Sequence, residues 1–354
     1  MIPQIATFFI DYQCNFTCEH CSISSSPSIK ATMSDELIES IFNQLKKVSS
    51  FKVVVFTGGE TTLQKEKLVK GLNLARDNGW STRVVTNAWW ATSKEEAEKF
   101  VKELVAEGLN EINTSFDDYH AKFVSIDNIV HFVEATFSNN IKPVISTIID
   151  NYSKYTSKYI QNYMAEKLGI SSNEISKKIL FMENTPSLNG RGANLKNDVN
   201  RIPINLTIDD VKTRKGCTEV GRSISFHPDG NVKVCCGHAS MDVSDLTVGN
   251  LYSESLAVIL NRVQSNIVFW LIHTLGPKGI LKKLGVTTEH STICDACQDL
   301  LVNYRKAMLN YVLNHKNELL LNEVILTDNK RREIDSYRML IKQQKDKQQC
   351  QNQN

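Results

Sequence analysis

Eight of the nine cysteines fall into two sets, and the first set has a spacing that suits metal chemistry. Cys14, Cys18 and Cys21 form a C-x3-C-x2-C run, CNFTCEHC. Three thiolates this close can surround one metal centre and leave a position open, as in an iron–sulfur cluster with three protein ligands; zinc closed by a fourth ligand fits the same spacing. Downstream, Phe56 to Thr61 reads FTGGET, an apolar β-branched run that stops on two glycines and a carboxylate. Gly58 and Gly59 let backbone approach a bound molecule, and Glu60 can hold an ammonium group, unless the segment is only a glycine turn with a solvated acid. Asn87, Ser115 and Asp117 offer short polar side chains suited to ribose hydroxyls or to helix caps. The second set is Cys217, Cys235, Cys236, Cys294 and Cys297. CTEVGRSISFHPDGNVKVCCG reads as a hairpin turning at Pro228-Asp229-Gly230 with cysteines near both ends, and CDAC adds a C-x2-C pair suited to zinc or iron–sulfur.

These residues need a scaffold that gathers them at one end. Ile5–Ile10, Lys52–Phe56, Thr82–Thr86, Glu111–Ser115, Pro143–Ile149 and Lys178–Met182 are short and rich in Val, Ile, Thr and Phe, which predicts strands. Helical patterns lie between them: a run opening at Ser34-Asp-Glu, then 64–78, 93–107, 127–138 and 153–168. Six strand-then-helix units predict parallel strands with right-handed crossovers. The expected class is α/β, a partial (β/α)6 TIM-like barrel, with function at the C-terminal ends of its strands, where each motif above begins.

After residue 185 the alternation ends. Leu188-Asn-Gly-Arg-Gly-Ala and the polar Lys196–Arg201 read as a linker, followed by the small cysteine-bearing region. Ile267–Leu284 reads as two apolar helices broken at Gly276-Pro277, and the chain closes on a helical stretch and a polar tail containing Cys350, expected to be disordered. In 354 residues Lys plus Arg number 41 and Asp plus Glu 39, so no strong field attracts nucleic acid or anionic lipid. Neither an export signal nor a run of the roughly 20 apolar residues needed to span a bilayer is evident. The expectation is a cytoplasmic protein, in whose reducing surroundings free thiols serve metal or redox chemistry.

Together the motifs resemble those of the radical S-adenosylmethionine (SAM) enzymes. In that family the three-cysteine loop after the first strand holds a [4Fe-4S] cluster whose open iron is chelated by SAM, a Gly-Gly-Glu motif receives the methionine amine, and later strand ends contact the ribose. The resemblance implies Cys14, Cys18 and Cys21 as cluster ligands, Gly58, Gly59 and Glu60 at the SAM amine, and Asn87, Ser115 and Asp117 at the ribose. NGRGANL, Asn189 to Leu195, is similar to the family's Gly-Arg-Ala segment, with Gly192 inserted, and His20 stands where an aromatic residue is usual. The second cysteine set resembles the family's C-terminal SPASM or twitch extension. Five cysteines are too few for the two clusters of a full SPASM domain, so the resemblance implies one auxiliary [4Fe-4S] cluster held by Cys217, Cys235, Cys294 and Cys297. The implied division is a radical SAM core over 1–195, a twitch/SPASM-like iron–sulfur domain over 196–310, and a C-terminal helix and tail over 311–354.

HCSISSSP, SFDDYHAKFV, the adjacent Cys235-Cys236 and ICDAC look like segments of radical SAM peptide epimerases. The resemblance then implies cleavage of SAM to a 5′-deoxyadenosyl radical, hydrogen abstraction from a ribosomally synthesised peptide, and L-to-D epimerisation. It also implies an external electron donor such as flavodoxin or ferredoxin, and no nucleic-acid or membrane partner. Epimerisation needs a hydrogen returned to the opposite face of the residue, and Cys236, left over when four cysteines hold a cluster, is the expected donor. The alternative is an oxidative maturase that cross-links or dehydrogenates its peptide.

Overall fold

The computed structural model describes residues 1–197, 216–319 and 321. Residues 1–303 form one compact unit and 304–354 a second. In the first, β1 (Ile5–Asp11), β2 (Val53–Gly58), β3 (Ser81–Thr86), β4 (Glu111–Ser115), β5 (Val144–Ile148) and β6 (Leu180–Asn184) are all parallel and lie side by side in chain order. Helices α1 (Asp35–Leu45), α2 (Lys65–Asp77), α3 (Lys94–Ala106), α4 (Ile126–Ser138) and α5 (Ser157–Leu168) fill the crossovers, as the six-unit pattern predicts. This is the partial TIM-barrel fold. The helices start where hydroxyls stand ready: Ser34, Ser93, Ser125 and Thr156 each accept a first-turn backbone N–H.

Alternation along β1 sorts its residues to two faces. Ala6, Phe8 and Ile10 are fully buried, while Ile5, Thr7 and Phe9 line a cavity on the other side of the sheet. The Phe8 ring lies 5.1 Å from that of Phe42 on α1, 5.6 Å from Phe56 on β2 and 5.4 Å from Phe226. These rings fix β1 between its neighbours and therefore fix the cysteine loop that follows it.

One element differs from expectation. The start of the expected strand at Lys178 belongs instead to α6 (Ser172–Lys178), opened by a capping box in which Ser171 and Glu174 satisfy each other's backbone N–H. The hairpin of the second half forms as expected and joins the barrel sheet. β7 (Ser223–Phe226) pairs in parallel with β1, β8 (Asn231–Lys233) runs antiparallel to β7, and β9 (Thr247–Asn250) completes a nine-stranded sheet. Three short helices, α7 (Ala239–Asp242), α8 (Leu256–Ser265) and α10 (Ile293–Val302), flank it with α9 (Ile267–Lys283). Within α9 the backbone leaves helical geometry at Gly276, φ +72°, before Pro277, at the break read from the sequence. No single helix among the described residues is long and apolar enough to cross a membrane. The second unit contains α11 (Arg305–Asn314); most of the polar linker and the tail with Cys350 lie outside the described residues.

Candidate active site

The C-terminal ends of the strands surround a cavity of about 990 Å³. Cys14, Cys18 and Cys21 all stand on its wall. Their loop is held from several directions. Phe16 N donates to Cys14 Sγ at 3.3 Å, and Asn87 Nδ2 donates to Asn15 Oδ1 at 2.9 Å. Arg191 donates through Nε to Cys18 O at 2.9 Å and through its backbone N to Cys21 O at 3.0 Å. Burial pushes the Cys14 and Cys18 thiols up to about 12, so a thiolate set here calls for a positive centre beside it. Three sulfurs on one wall, with open space in front, fit a cluster with one free coordination position.

Gly58 and Gly59 line the same cavity, and the main chain there is crowded against the β1 exit. Gly58 has φ +148°, and a Cβ on Gly59 would overlap the Gln13 carbonyl. Gly59 N donates to Asp11 O at 3.0 Å and Glu60 N to Gln13 O at 2.7 Å, so only glycine backbone fits between the two loops.

Glu60 departs from its expected place at the SAM amine. Its side chain is buried and absent from the cavity wall. Oε1 accepts from Thr62 N at 3.1 Å, from the Thr62 hydroxyl and from Thr86 Oγ1 at 2.7 Å, while Oε2 accepts from Asn87 N at 2.7 Å. With both oxygens occupied, the carboxylate ties the end of β2 to the end of β3. Asp117 is braced in the same way and does not line the cavity. Oδ1 accepts from Tyr119 N, His120 N and His120 Nδ1, and Oδ2 accepts from Ile148 N at 3.2 Å. Burial alone would raise its pKa, but the His120 imidazole outweighs that and holds it below the usual carboxylate range. Asn87 and Ser115 do line the cavity.

Gly237 lies against both Cys294 Sγ and Cys235 Sγ, at 3.0 and 3.8 Å from a Cβ placed there. Burial, reinforced by neighbouring sulfurs of the set, pushes up the Cys235, Cys294 and Cys297 thiols, and Cys217 is among those neighbours in each case. None of the eight described cysteines is in a disulfide. Cys217, Cys235, Cys294 and Cys297 thus lie near one another, with Cys236 beside Cys235. Cys236 and Cys294 both line the cavity; the Cys236 sulfur accepts from Ser223 Oγ at 3.3 Å, and Thr7 Oγ1 lies 3.3 Å from that hydroxyl.

Asp11 and His238 had no motif to mark them. Asp11 is fully buried with neither carboxylate oxygen hydrogen-bonded, and burial above all, then Glu60, raises its pKa to about 8. His238 stands exposed inside the cavity. Arg191, in the NGRGANL segment, reaches the cavity with Nη2 unpartnered. Its flanking glycines, each close against other backbone, were the available signal.

Residues 10–161 match the family model of the radical SAM superfamily, and residues 217–298 match that of SPASM, an iron–sulfur cluster-binding domain. The putative peptide biosynthesis protein YydG of Bacillus subtilis (strain 168) is 24% identical over 322 residues, covering 88% of this chain and 95% of that protein. Among solved structures, native anSMEcpe with bound AdoMet and Cp18Cys peptide is similar at TM-score 0.50 and 12% identity, over 88% of this chain and 99% of that one. BtrN in complex with AdoMet and 2-DOIA is similar at TM-score 0.49 and 14% identity, over 83% and 98% of the respective chains.

Proposed function

Because this chain belongs to the radical SAM superfamily and carries a SPASM iron–sulfur domain, we propose that it epimerises an L-residue of a ribosomally synthesised peptide to the D-form. The radical SAM domain implies SAM and a SAM-binding [4Fe-4S] cluster, and the SPASM domain implies auxiliary iron–sulfur. A peptide substrate is supported by the name of the Bacillus relative, which matches nearly end to end. When bound, SAM and its cluster supply a carbon radical able to take Hα from the peptide.

Cys14, Cys18 and Cys21 would hold that cluster, the backbone at Gly58 and Gly59 would meet SAM, and Asn87 and Ser115 would face its ribose. Cys217, Cys235, Cys294 and Cys297 would hold one auxiliary [4Fe-4S] cluster. The observation that supports the epimerase assignment is Cys236, which lines the cavity with its sulfur accepting from Ser223 Oγ, while Cys235 is buried near Cys297 and Cys217. A hydrogen-atom donor must carry S–H and not S⁻. Burial pushes the Cys236 thiol up and keeps it protonated at neutral pH. Transfer of that hydrogen to the opposite face of the peptide radical leaves a sulfur radical, which one electron and one proton return to S–H. An external flavodoxin or ferredoxin would supply the electron.

The test is anaerobic turnover in heavy water with SAM, reductant and the peptide encoded beside this gene. Epimerisation incorporates one deuterium for each D-residue formed, whereas loss of two hydrogens would indicate the oxidative alternative. Cys236→Ala should still cleave SAM and yield no D-residue. Full D-residue formation by that variant would remove Cys236 as donor.

A further inference from the structure

The sheet ends on β6 with one edge open: among the described residues β6 pairs only with β5. Leu180 N donates to Pro143 O, and Asn184 O accepts from Ile149 N. Even-numbered residues thus turn their main-chain groups toward β5, and Phe181 and Glu183 between them turn theirs outward. The register sets the side chains. Leu180, Met182 and Asn184 lie beside Val144, Ser146 and Ile148, on the face where Ser146, Ile148 and Asn184 line the cavity. Leu180 and Met182 are nonetheless 50% and 47% exposed, because the partial barrel leaves this flank open. Edge strands are commonly blunted by charge or covered. The one charged side chain of β6, Glu183, is engaged at the start of α5, where it accepts from Ser157 N at 2.7 Å.

We propose that an extended segment of the substrate pairs with the outer edge of β6 as an added strand, packs alternate side chains on Leu180 and Met182, and so delivers the adjoining residue to the cavity. The proposal rests on the peptide-modifying assignment above and names where that peptide is gripped. The occupant follows from continuity and size. The strand runs straight into the cavity wall at Glu183, Asn184 and Thr185, so a chain paired along it arrives beside the reacting groups. Five residues span only about 17 Å. That edge is too short to bury the roughly 1,200 Å² of a stable protein–protein interface, which favours a short peptide over a second copy of the chain. Main-chain pairing also tolerates varied side chains, with selectivity left to the alternate positions.

The experiment compares Phe181→Pro with Phe181→Ala. Both lose the ring, only proline loses the outward N–H, and neither touches the even-numbered bonds to β5; proline is tolerated at strand edges. With the peptide encoded beside this gene as probe, Phe181→Pro should raise the peptide KM about three- to tenfold over Phe181→Ala, the loss of one net hydrogen bond, with kcat kept. On the unaltered enzyme, peptides carrying one backbone N-methyl at successive positions should bind weakly at every second position. The Phe181 and Glu183 amides should resist deuterium exchange only when peptide is present. Equal KM values with no alternation in the N-methyl series would overturn the edge while leaving the peptide assignment intact. Protection of those amides without peptide, or a dimer that Phe181→Pro dissolves, would give the edge another occupant and overturn it equally. Failure of the peptide to bind or react at all would remove the peptide assignment and this proposal with it.

Discussion

Asp11→Asn should make the protein more stable at neutral pH and change how its stability responds to acid. Asp11 ends β1 fully buried, with neither oxygen hydrogen-bonded, and burial followed by the nearby Glu60 raises its pKa from 3.8 to about 8. A group whose folded pKa is raised lends its full stability below the unfolded pKa, and that stability drains away as pH climbs toward the folded value. At about 1.4 kcal/mol per pKa unit, the loss is about 1.6 kcal/mol at pH 5 and about 4 kcal/mol at pH 7. Asparagine does not titrate, so it escapes this loss. Its unpaired amide costs about 1–3 kcal/mol, but that offset is the same at every pH. The informative quantity is therefore the difference between the two proteins as pH changes, which should grow in favour of the variant by about 1.5–3 kcal/mol from pH 5 to pH 7. Urea unfolding followed by far-UV circular dichroism at several pH values measures it. Parallel curves for the two proteins would mean that Asp11 is ionised and partnered at neutral pH, and the account of this turn would fail.

Gly59→Ala drives a methyl group into the Gln13 carbonyl, so SAM binding measured by equilibrium dialysis should be lost while the auxiliary iron is retained. Replacing Cys14, Cys18 and Cys21 together with alanine should abolish 5′-deoxyadenosine formation and leave the auxiliary iron–sulfur absorbance; undiminished cleavage would contradict the ligand assignment. Glu60→Gln turns an amide donor toward either Asn87 N or the donors on Oε1, and should lower unfolding stability by about 1.5–3 kcal/mol, the range for a hydrogen bond to a charged group. If Glu60 instead contacted SAM directly, the same variant would lose affinity with stability unchanged.

The barrel half of the fold was legible because its signals are local. Hydroxyl caps, apolar periodicity and terminal glycines each act within a few residues, and they place five crossover helices to within a few positions. The capping box at Ser171 and Glu174 is just as local, and its S-x-x-E spacing marks the start of α6 ahead of the β-branched pattern that follows it. The docking of β7 on β1 has no such signal. It pairs Ile5 with Ser223 and Phe8 with Phe226 across more than half the chain, and only the shared aromatic contact at Phe8 betrays it.

The same division runs through the site. Sequence identifies a carboxylate at a strand end but not the direction in which it turns, because that depends on donors brought from elsewhere. Thr86 and Asn87 of the next strand end claim Glu60, and His120 and Ile148 claim Asp117. Both acids become braces between neighbouring loops, and the charged groups left on the cavity wall include Arg191, Glu183 and Glu219. The Cys235-Cys236 pair lies just past β8, and its two sulfurs have different neighbours. The Cys235 sulfur is buried near Cys297 and Cys217, and the Cys236 sulfur meets Ser223 at the cavity wall. Two neighbouring cysteines can thus serve two chemically different sites. An alanine inserted before Cys235 should move both sulfurs out of their present surroundings and deplete the auxiliary iron, whereas Cys236→Ala should leave that iron in place; equal iron content in the two would refute the division.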